Sequence, residues 1–501
     1  MKRLRRYPGL TESFDTSSEE EEEKEPVKPP KKKLAPLIVI PSDEEAETEE
    51  LVEEEDEEPK LSESQKRALD MILQGHNVFV TGEAGSGKSY LIEQLRQALE
   101  ERQTHYQMTA STGSAAWNIG MGQAGGVTLH SFAGIGLGNR EDAETYVAQI
   151  QKRRDKLKDW QWIECLIIDE ISMIQVEYFE KLEKIARLLK NGARPFGGIQ
   201  LVLVGDYFQC PPIVKDGEKR QYLFESPLWQ QLHIQCCALT QNFRQSQDPA
   251  FRALLGRMKI GQLTRDDLIT MRTRIIHNHG QCNEMTRLCS RRANAESINK
   301  REIEKLEGEA HHYKGDLIEY DANGIPLMEE QKKKTTSDEN KFNESNFPVD
   351  VNLQLKKGTL IILCCNLDVS AGLFNGSRGM VVDFRRESNA NNAPLYPFVE
   401  FEQGQRVLIS PHKWDSFKKR RLVSTFVQIP LMPRYAMTIH KSQGLTLDQA
   451  LVTMDFFDTG LAYVAFSRVR QLEHLFLTNV DEKKVLVDPV VVAFARHNGL
   501  L

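Results

Sequence analysis

The chain has 501 residues, 40% of them hydrophobic, with 72 acidic side chains against 65 basic ones and a formal net charge of −7. That length exceeds one hydrophobic core and predicts two or three folded domains, while no apolar run is long enough to cross a membrane as a helix. The net charge excludes a uniformly basic surface but not a basic groove: residues 1–60 carry 20 acids and 10 bases, which leaves 52 acids against 55 bases for 61–501.

Residues 1–60 are too charged and too poor in apolar side chains to build a core, so a disordered acidic leader is expected. Within it, Lys28-Pro29-Pro30-Lys31-Lys32-Lys33 resembles a short basic nuclear-import signal. Leu37-Ile38-Val39-Ile40, followed by Pro41-Ser42-Asp43-Glu44-Glu45, resembles a SUMO-interacting motif. A β-forming tetrapeptide with no sheet of its own can add to a partner's strand edge, and the acids would face a basic rim. The first residues lack the apolar centre of a signal peptide, and Glu12 and Asp15 argue against a transit peptide. The eight cysteines contain no C-x-x-C and suit a reducing compartment; an intracellular location is expected, with the nucleus favoured and the mitochondrion left open.

From Leu61 the composition becomes globular. Ser62 stands three residues before Gln65, a capping-box pattern that opens a helix. Residues 76–81 form an apolar run between Gly75 and Gly82 and read as a buried strand. Residues 82–89, GEAGSGKS, fit the phosphate-loop pattern G-x-x-x-x-G-K-[ST], and residues 90–99 continue with helical spacing. Strand, glycine loop and helix is the context such a loop requires: curled backbone N–H groups and a helix N-terminus face one anion. Lys88 would reach the β/γ-phosphates and the Ser89 hydroxyl would ligate Mg²⁺.

Further strands are expected at 106–110, from 126, at 166–170 and at 201–206, with 140–162 a charged, solvated helical connector. Apolar strands alternating with helices predict a parallel sheet covered on both faces, with function at the carboxyl ends of the strands. Asp169, Glu170 and Asp206 fall there. Asp169 would hold the metal, and Glu170 would orient and deprotonate the attacking water. Helices at 249–258, 264–273 and 294–306 follow, with a strand at 286–289. Residues 307–348 read as a long loop. Short β runs at 359–364, 379–384, 398–401, 406–409 and 424–429, with a turn at Asn375-Gly376, suggest a small antiparallel barrel. His277-x-His279-x-x-Cys282 and then Cys289 match no common zinc spacing.

Taken in order, LSESQ, GEAGSGKS, TASTGSAA, GVTLHSFAGIGLG, IIDEISM, PFGGIQLVLVGDYFQCPPI, LTQNFRQ, FNGSRGMVV, MTIHKSQGLTLDQA and YVAFSRVR give residues 61–477 a resemblance. The chain is similar to the petite-integration-frequency branch of superfamily 1 helicases, relatives of RecD-type 5′-to-3′ DNA helicases. The resemblance implies an α/β fold of two RecA-like P-loop domains with parallel sheets, an SH3-like β-barrel insertion, and the acidic leader in front. The expected division is 1–60 for the leader and 61–233 for the first domain with a small wedge insertion. The second domain takes 234–306 and 430–501, with 307–429 inserted into it.

The resemblance also implies roles. Gln65 would read the adenine edge, and Gly82, Glu83, Ala84, Gly85, Ser86, Gly87, Lys88 and Ser89 would surround the phosphates of ATP. Gln209 would sense the γ-phosphate, and Arg244 and Arg468 would be arginine fingers. Single-stranded DNA would lie along Thr109, Ser111, Thr112, His130, Ser131 and Phe132 in the first domain and His440, Lys441, Ser442 and Gln443 in the second. Phe132 and Tyr207 would offer stacking surfaces. The implied activity is ATP-dependent 5′-to-3′ DNA unwinding at duplex/single-strand junctions, with G-quadruplexes or RNA–DNA hybrids as further substrates. The alternatives are an ATP-driven translocase that strips proteins from DNA, an RNA helicase, or a non-catalytic recruitment factor.

Overall fold

In the computed structural model the described residues are 60–501 without 113–114, 117–118, 120–125, 136–141, 191, 215–218, 277–284, 321–325, 328–348, 366, 369–372, 374–376, 388–393, 403 and 419–420. The leader with its two short motifs, the turn at Asn375-Gly376, and His277, His279 and Cys282 therefore lie outside the described residues.

Six parallel strands make the first sheet: β1 (Val78–Gly82), β2 (Tyr106–Ala110), β3 (Val127–Thr128), β4 (Cys165–Asp169), β5 (Gln200–Val204) and β6 (Gln235–Leu239), in the order β3-β2-β4-β5-β1-β6. Side chains alternate across each strand, which explains why both faces had to be apolar. Val78, Val80, Ile167, Val202 and Val204 meet the helices Glu63–Leu73 and Lys88–Glu101 on one face. Phe79, Leu166, Ile168, Leu201 and Leu203 meet the helix Val176–Lys190 and its neighbours on the other. Each such side chain removed from water contributes about 1.5–3 kcal/mol.

Two features of this lobe differ from expectation. Residues 140–162 are not a solvated connector but two helices, Ala143–Lys152 and Arg154–Trp162, whose apolar stripe buries Tyr146, Ile150 and Trp160. Glu144, Lys152, Arg154 and Lys158 are exposed while Lys156 and Asp159 are buried beside the stripe, which composition alone hid. The boundary expected at 233/234 also moves, because β6 pairs with β1 from Val78↔Gln235 to Gly82↔Leu239 and so belongs to the first sheet.

The sheet of the second lobe opens with β7 (Thr286–Cys289). Between it and the lobe's other strands come β8 (His311–Lys314), β9 (Asp316–Glu319), β10 (Asn352–Leu355), β11 (Leu360–Leu363), β12 (Arg378–Arg386), β13 (Leu395–Phe401), β14 (Arg406–Leu408), β15 (His412–Lys418), β16 (Arg421–Gln428) and β17 (Leu431–Pro433). An antiparallel sheet ordered β14-β13-β12-β11-β17 forms the small SH3-like module, with a core of its own around Ile361, Leu363, Val381, Val399 and Phe401. It runs to Pro433, past the expected end at 429. A three-stranded sheet β15-β16-β9 and the pair β10-β8 accompany it. The strands β8 and β9 correct the expected loop over 307–348: their partners lie far along the chain, and such pairing leaves little local signal.

Parallel strands β18 (Ala436–Thr438), β19 (Ala450–Val452) and β20 (Leu475–Leu477) complete the second sheet in the order β18-β7-β19-β20. The last helix, Pro489–His497, was assigned to this lobe but packs on the first. Its Phe494 stacks on Phe224 with ring centroids 4.0 Å apart and meets Trp229 edge-on at 5.8 Å.

Candidate functional site

Residues 82–89 turn directly from β1 into the helix Lys88–Glu101, so backbone N–H groups and the positive end of the helix converge on one point. Gly85 shows why glycine is needed: its φ is +85°, and a Cβ there would stand 2.4 Å from the Cβ of Arg244. Lys88 folds onto its own loop, donating from Nζ to the carbonyls of Gly82 at 2.8 Å and Glu83 at 3.1 Å. Burial lowers its pKa, while the carboxylates of Asp206, Glu170 and Asp169 oppose that shift. Beside the loop, Gln65 closes the capping box by accepting the Ser62 N–H at 2.9 Å, and its Nε2 donates to the Gly87 carbonyl at 3.1 Å. The second Nε2 hydrogen remains for a base edge.

Asp169 ends β4, and its Oδ1 accepts the N–H of Glu170 at 2.9 Å. Glu170 then takes the left-handed conformation at φ +51°, a strain of about 1–3 kcal/mol for a residue with a side chain. The buried turn Ile171–Met173 follows and holds that conformation. Burial raises the pKa of both carboxyls, and the charge of Asp169 adds to the shift at Glu170. Asp206 accepts from the Phe208 N–H at 3.0 Å and from Gln209 Nε2 at 3.2 Å, so Gln209 stands parked on its neighbour.

The second lobe reaches the same loop. The Phe243 N–H donates to the Gly85 carbonyl at 2.9 Å, and Asn242 Nδ2 donates to the Ala84 carbonyl and to Glu83, both at 3.2 Å. Arg252 pairs with Glu83 at 3.1 Å, and the Tyr463 hydroxyl accepts the Ala84 N–H at 3.2 Å. Gly460 lets the lobes meet: a Cβ there would lie 2.2 Å from the Gln209 carbonyl oxygen. Arg244 donates to the carbonyls of Ser467 at 3.0 Å and Gly444 at 3.4 Å. Arg468 is buried and donates to the Val464 and Ser442 carbonyls at 2.8 and 3.2 Å. Burial lowers the pKa of both guanidinium groups. Both arginines thus border the cleft while engaged with second-lobe carbonyls.

The expected strand contacts separate into two groups. Ser131 is exposed, and His130 is half-buried against Tyr178 with centroids 4.5 Å apart. Ser111, Thr112, His440 and Lys441 are also partly accessible, Lys441 pairing with Asp350 at 3.0 Å. The other group requires correction. Thr109 is buried within β2, donating to the Ile167 carbonyl at 2.8 Å, and Ser442 is buried, donating to the Ile439 carbonyl at 2.7 Å. Phe132 packs on Trp160 at 4.9 Å, and Tyr207 lies among Phe79, Tyr222 and Phe224. Neither ring presents a face for a base, because each completes a core that no local pattern announces. Gln443 crosses the cleft instead and donates to Glu170 Oε2 at 2.8 Å.

Among the described residues no group of three His, Cys, Asp or Glu side chains could cage a metal ion. Asp169 is buried at the end of β4, and Ser89 is exposed in the first turn of the helix Lys88–Glu101. Cys289 lies in β7, where burial pushes its thiol up to about 11. Sequence reasoning missed Phe243, whose ring is 47% exposed and reaches within 3.2 Å of where a Gly87 Cβ would stand, beside Gln65. Its signal was present in the QNFRQ block, next to the arginine that drew notice. Tyr463, Asn242 and Gly460 were missed because their importance is a matter of contact between lobes.

A family model described as PIF1-like helicase matches residues 60–264, and one described as DNA helicase Pif1, 2B domain, matches residues 339–384. The ATP-dependent DNA helicase PIF1 of Xenopus laevis is 37% identical over 439 residues, covering 87% of this chain and 64% of its own length. The chain thus spans just under two thirds of that relative, as it does of the same-named proteins of Danio rerio and Homo sapiens. The crystal structure of Pif1 helicase from Candida albicans is 32% identical with a TM-score of 0.69, covering 88% of this chain and all of that one. A Pif1 helicase from Bacteroides, in complex with ADP-AlF3 and single-stranded DNA, is 27% identical with a TM-score of 0.58, covering 88% and 98%. With the phosphate loop, the paired carboxyls and the arginines of the second lobe arranged as above, the chain belongs to the PIF1-like helicase family.

Proposed function

We propose that this chain is an ATP-dependent DNA helicase that moves 5′ to 3′ on single-stranded DNA and parts the duplex ahead of it. The observation that carries the reading is the cleft itself. Lys88, Asp169, Glu170 and Gln209 from one lobe face Arg244, Arg468 and Tyr463 from the other across a phosphate loop that both lobes touch. The Bacteroides relative, in complex with a nucleotide analogue and single-stranded DNA, supports the same ligands here.

In this reading the loop N–H groups and Lys88 bind the phosphates, Phe243 and Gln65 hold the base, and Glu170 orients and deprotonates the attacking water. Arg244 and Arg468 exchange their carbonyl partners for the charge that develops on the transferring phosphoryl. A magnesium ion held by Asp169 and Ser89 would supply further neutralisation of that charge. Closing of the lobes on ATP and their release after hydrolysis would drive the strand held at Ser111, Thr112, His130, Ser131, His440 and Lys441. The substrates are junctions of duplex and single-stranded DNA, in replication, repair or recombination. A SUMO-type partner at Leu37 to Ile40 and a nuclear location belong to the same proposal.

Labelled duplexes with a 5′ or a 3′ single-stranded tail test it. Strand displacement with ATP only from the 5′-tailed substrate is expected. Displacement only from the 3′-tailed one, or only of RNA duplexes, would overturn the reading.

A further inference from the structure

Gln443 was expected on the DNA, yet its side chain leaves the strand path and crosses between lobes to a residue of the hydrolytic centre. It lies in the turn after β18, three residues beyond His440 and two beyond Lys441, both partly accessible. From there Nε2 donates to Glu170 Oε2 at 2.8 Å, and no other hydrogen bond of the Gln443 side chain is seen among the described residues. The turn is held firmly: the Gln443 N–H donates to the His440 carbonyl at 3.2 Å, and the Ser442 N–H donates to the Thr438 and Ile439 carbonyls at 3.1 Å. Arg468 and Arg244 brace it further through the carbonyls of Ser442, Leu445 and Gly444. A shift of His440 or Lys441 therefore moves the Gln443 amide with them.

Glu170 is the residue best placed to respond. Its left-handed backbone and the buried turn after it fix the root of the side chain, while the carboxylate meets one fixed amide from across the cleft. Held by Oε2, the carboxylate keeps Oε1 for the hydrogen bond that orients a water, and its rotation is set by the distance between the lobes. A general base out of line by an ångström loses most of its advantage.

We propose that Gln443 is a positioning residue: it sets the orientation of Glu170 from the second lobe and so couples occupation of the strand path to hydrolysis. The inference rests on the reading of Glu170 as the hydrolytic base, and it gives one glutamine a task different from a DNA contact. Because the hydrogen bond joins the two lobes, it forms fully only when their relative position is correct. A strand seated against His440 and Lys441 stabilises that position.

The test compares full-chain Gln443→Ala and Gln443→Glu with the parent in steady-state ATP turnover, over a range of ATP concentration and at saturating oligo-dT. Strand affinity is measured separately by fluorescence anisotropy. Gln443→Glu keeps the side-chain volume but sets a second carboxylate against Glu170, so it serves if the alanine variant fails to melt cooperatively. Expected for both is a fall in kcat of about tenfold to a hundredfold, with the KM for ATP and the Kd for oligo-dT within about twofold of the parent. An unchanged kcat overturns the proposal. So does a weakened Kd for oligo-dT with kcat at saturation intact, which would make Gln443 a strand contact. A parent whose turnover ignores oligo-dT would contradict the helicase reading instead, and the comparison of kcat between variants would still judge the role of Gln443.

Discussion

Lys88 holds two carbonyls of its own loop, Arg244 and Arg468 hold carbonyls of the second lobe, and Gln209 holds Asp206. Each cation or amide expected to meet a phosphate already has a partner, so nucleotide binding exchanges hydrogen bonds and does not create them from nothing. Replacement of Lys88 by Ala is expected to lower kcat/KM for ATP by at least about a hundredfold with an unchanged melting temperature, measured by coupled ATP turnover and thermal denaturation. Phe243→Ala is expected to raise the KM for ATP about tenfold with kcat within about twofold, since a base stacked on that ring is lost before the chemistry begins. Phe132 behaves differently. Its burial against Trp160 predicts that Phe132→Ala costs about 3–5 kcal/mol of stability, seen in urea unfolding, while the folded protein binds oligo-dT as before. The phosphate loop and the acidic pair were legible because each is local in sequence. Phe132, Tyr207, Thr109 and Ser442 were misjudged because burial depends on helices more than a motif away.

At the scale of elements, β1, β4 and β5 of the first parallel sheet could be read from apolar runs, since a strand buried on both faces must be apolar throughout. The strands β8 and β9 could not, because a polar sequence such as HHYK pairs with a remote partner, and β15, HKWDSFK, pairs with the strand that follows it but carries no apolar run. The last helix, Pro489–His497, falls in the stretch 430–501 expected in the second lobe, and its sequence gives no sign of which lobe it serves. Its Phe494 on Phe224 answers that, and Phe494→Ala is expected to cost about 2 kcal/mol by removing one ring of a half-buried stack. The helix Arg265–Arg272 offers a pH test. Asp267 caps it through Thr264 and takes a two-pronged bond from Arg257 at 2.6 and 2.7 Å, and the Arg257 bond with the capping bonds holds its carboxyl down to about 2. An ordinary Asp titrates near about 3.9. The folded value is the lower one, so this stabilisation is complete above about pH 4 and is lost as pH falls towards 2. Asp267→Asn should remove that part of the acid dependence of unfolding, and an identical acid limb in the variant would contradict the assignment.

Across the whole molecule, the two lobes are joined by ties that differ in kind. Arg220 pairs with Asp458 at 2.7 Å, Gly460 lies against Gln209, and Gln443 bonds Glu170. The first is an ion pair, and the last two lie at the chemistry and suit contacts that break and reform. Residues 61–477 showed this bipartite plan through their ordered motifs, but the ties between lobes were invisible, because no spacing in one chain says which residues will face one another across a cleft. The account depends on ATP turnover being sensed by a strand that spans both lobes. The direct measurement is the steady-state rate of ATP hydrolysis with magnesium, without DNA and with saturating oligo-dT. A rise of at least about tenfold on adding the oligonucleotide is predicted. An equal rate in both conditions, from protein that is folded and binds the oligonucleotide, would contradict it.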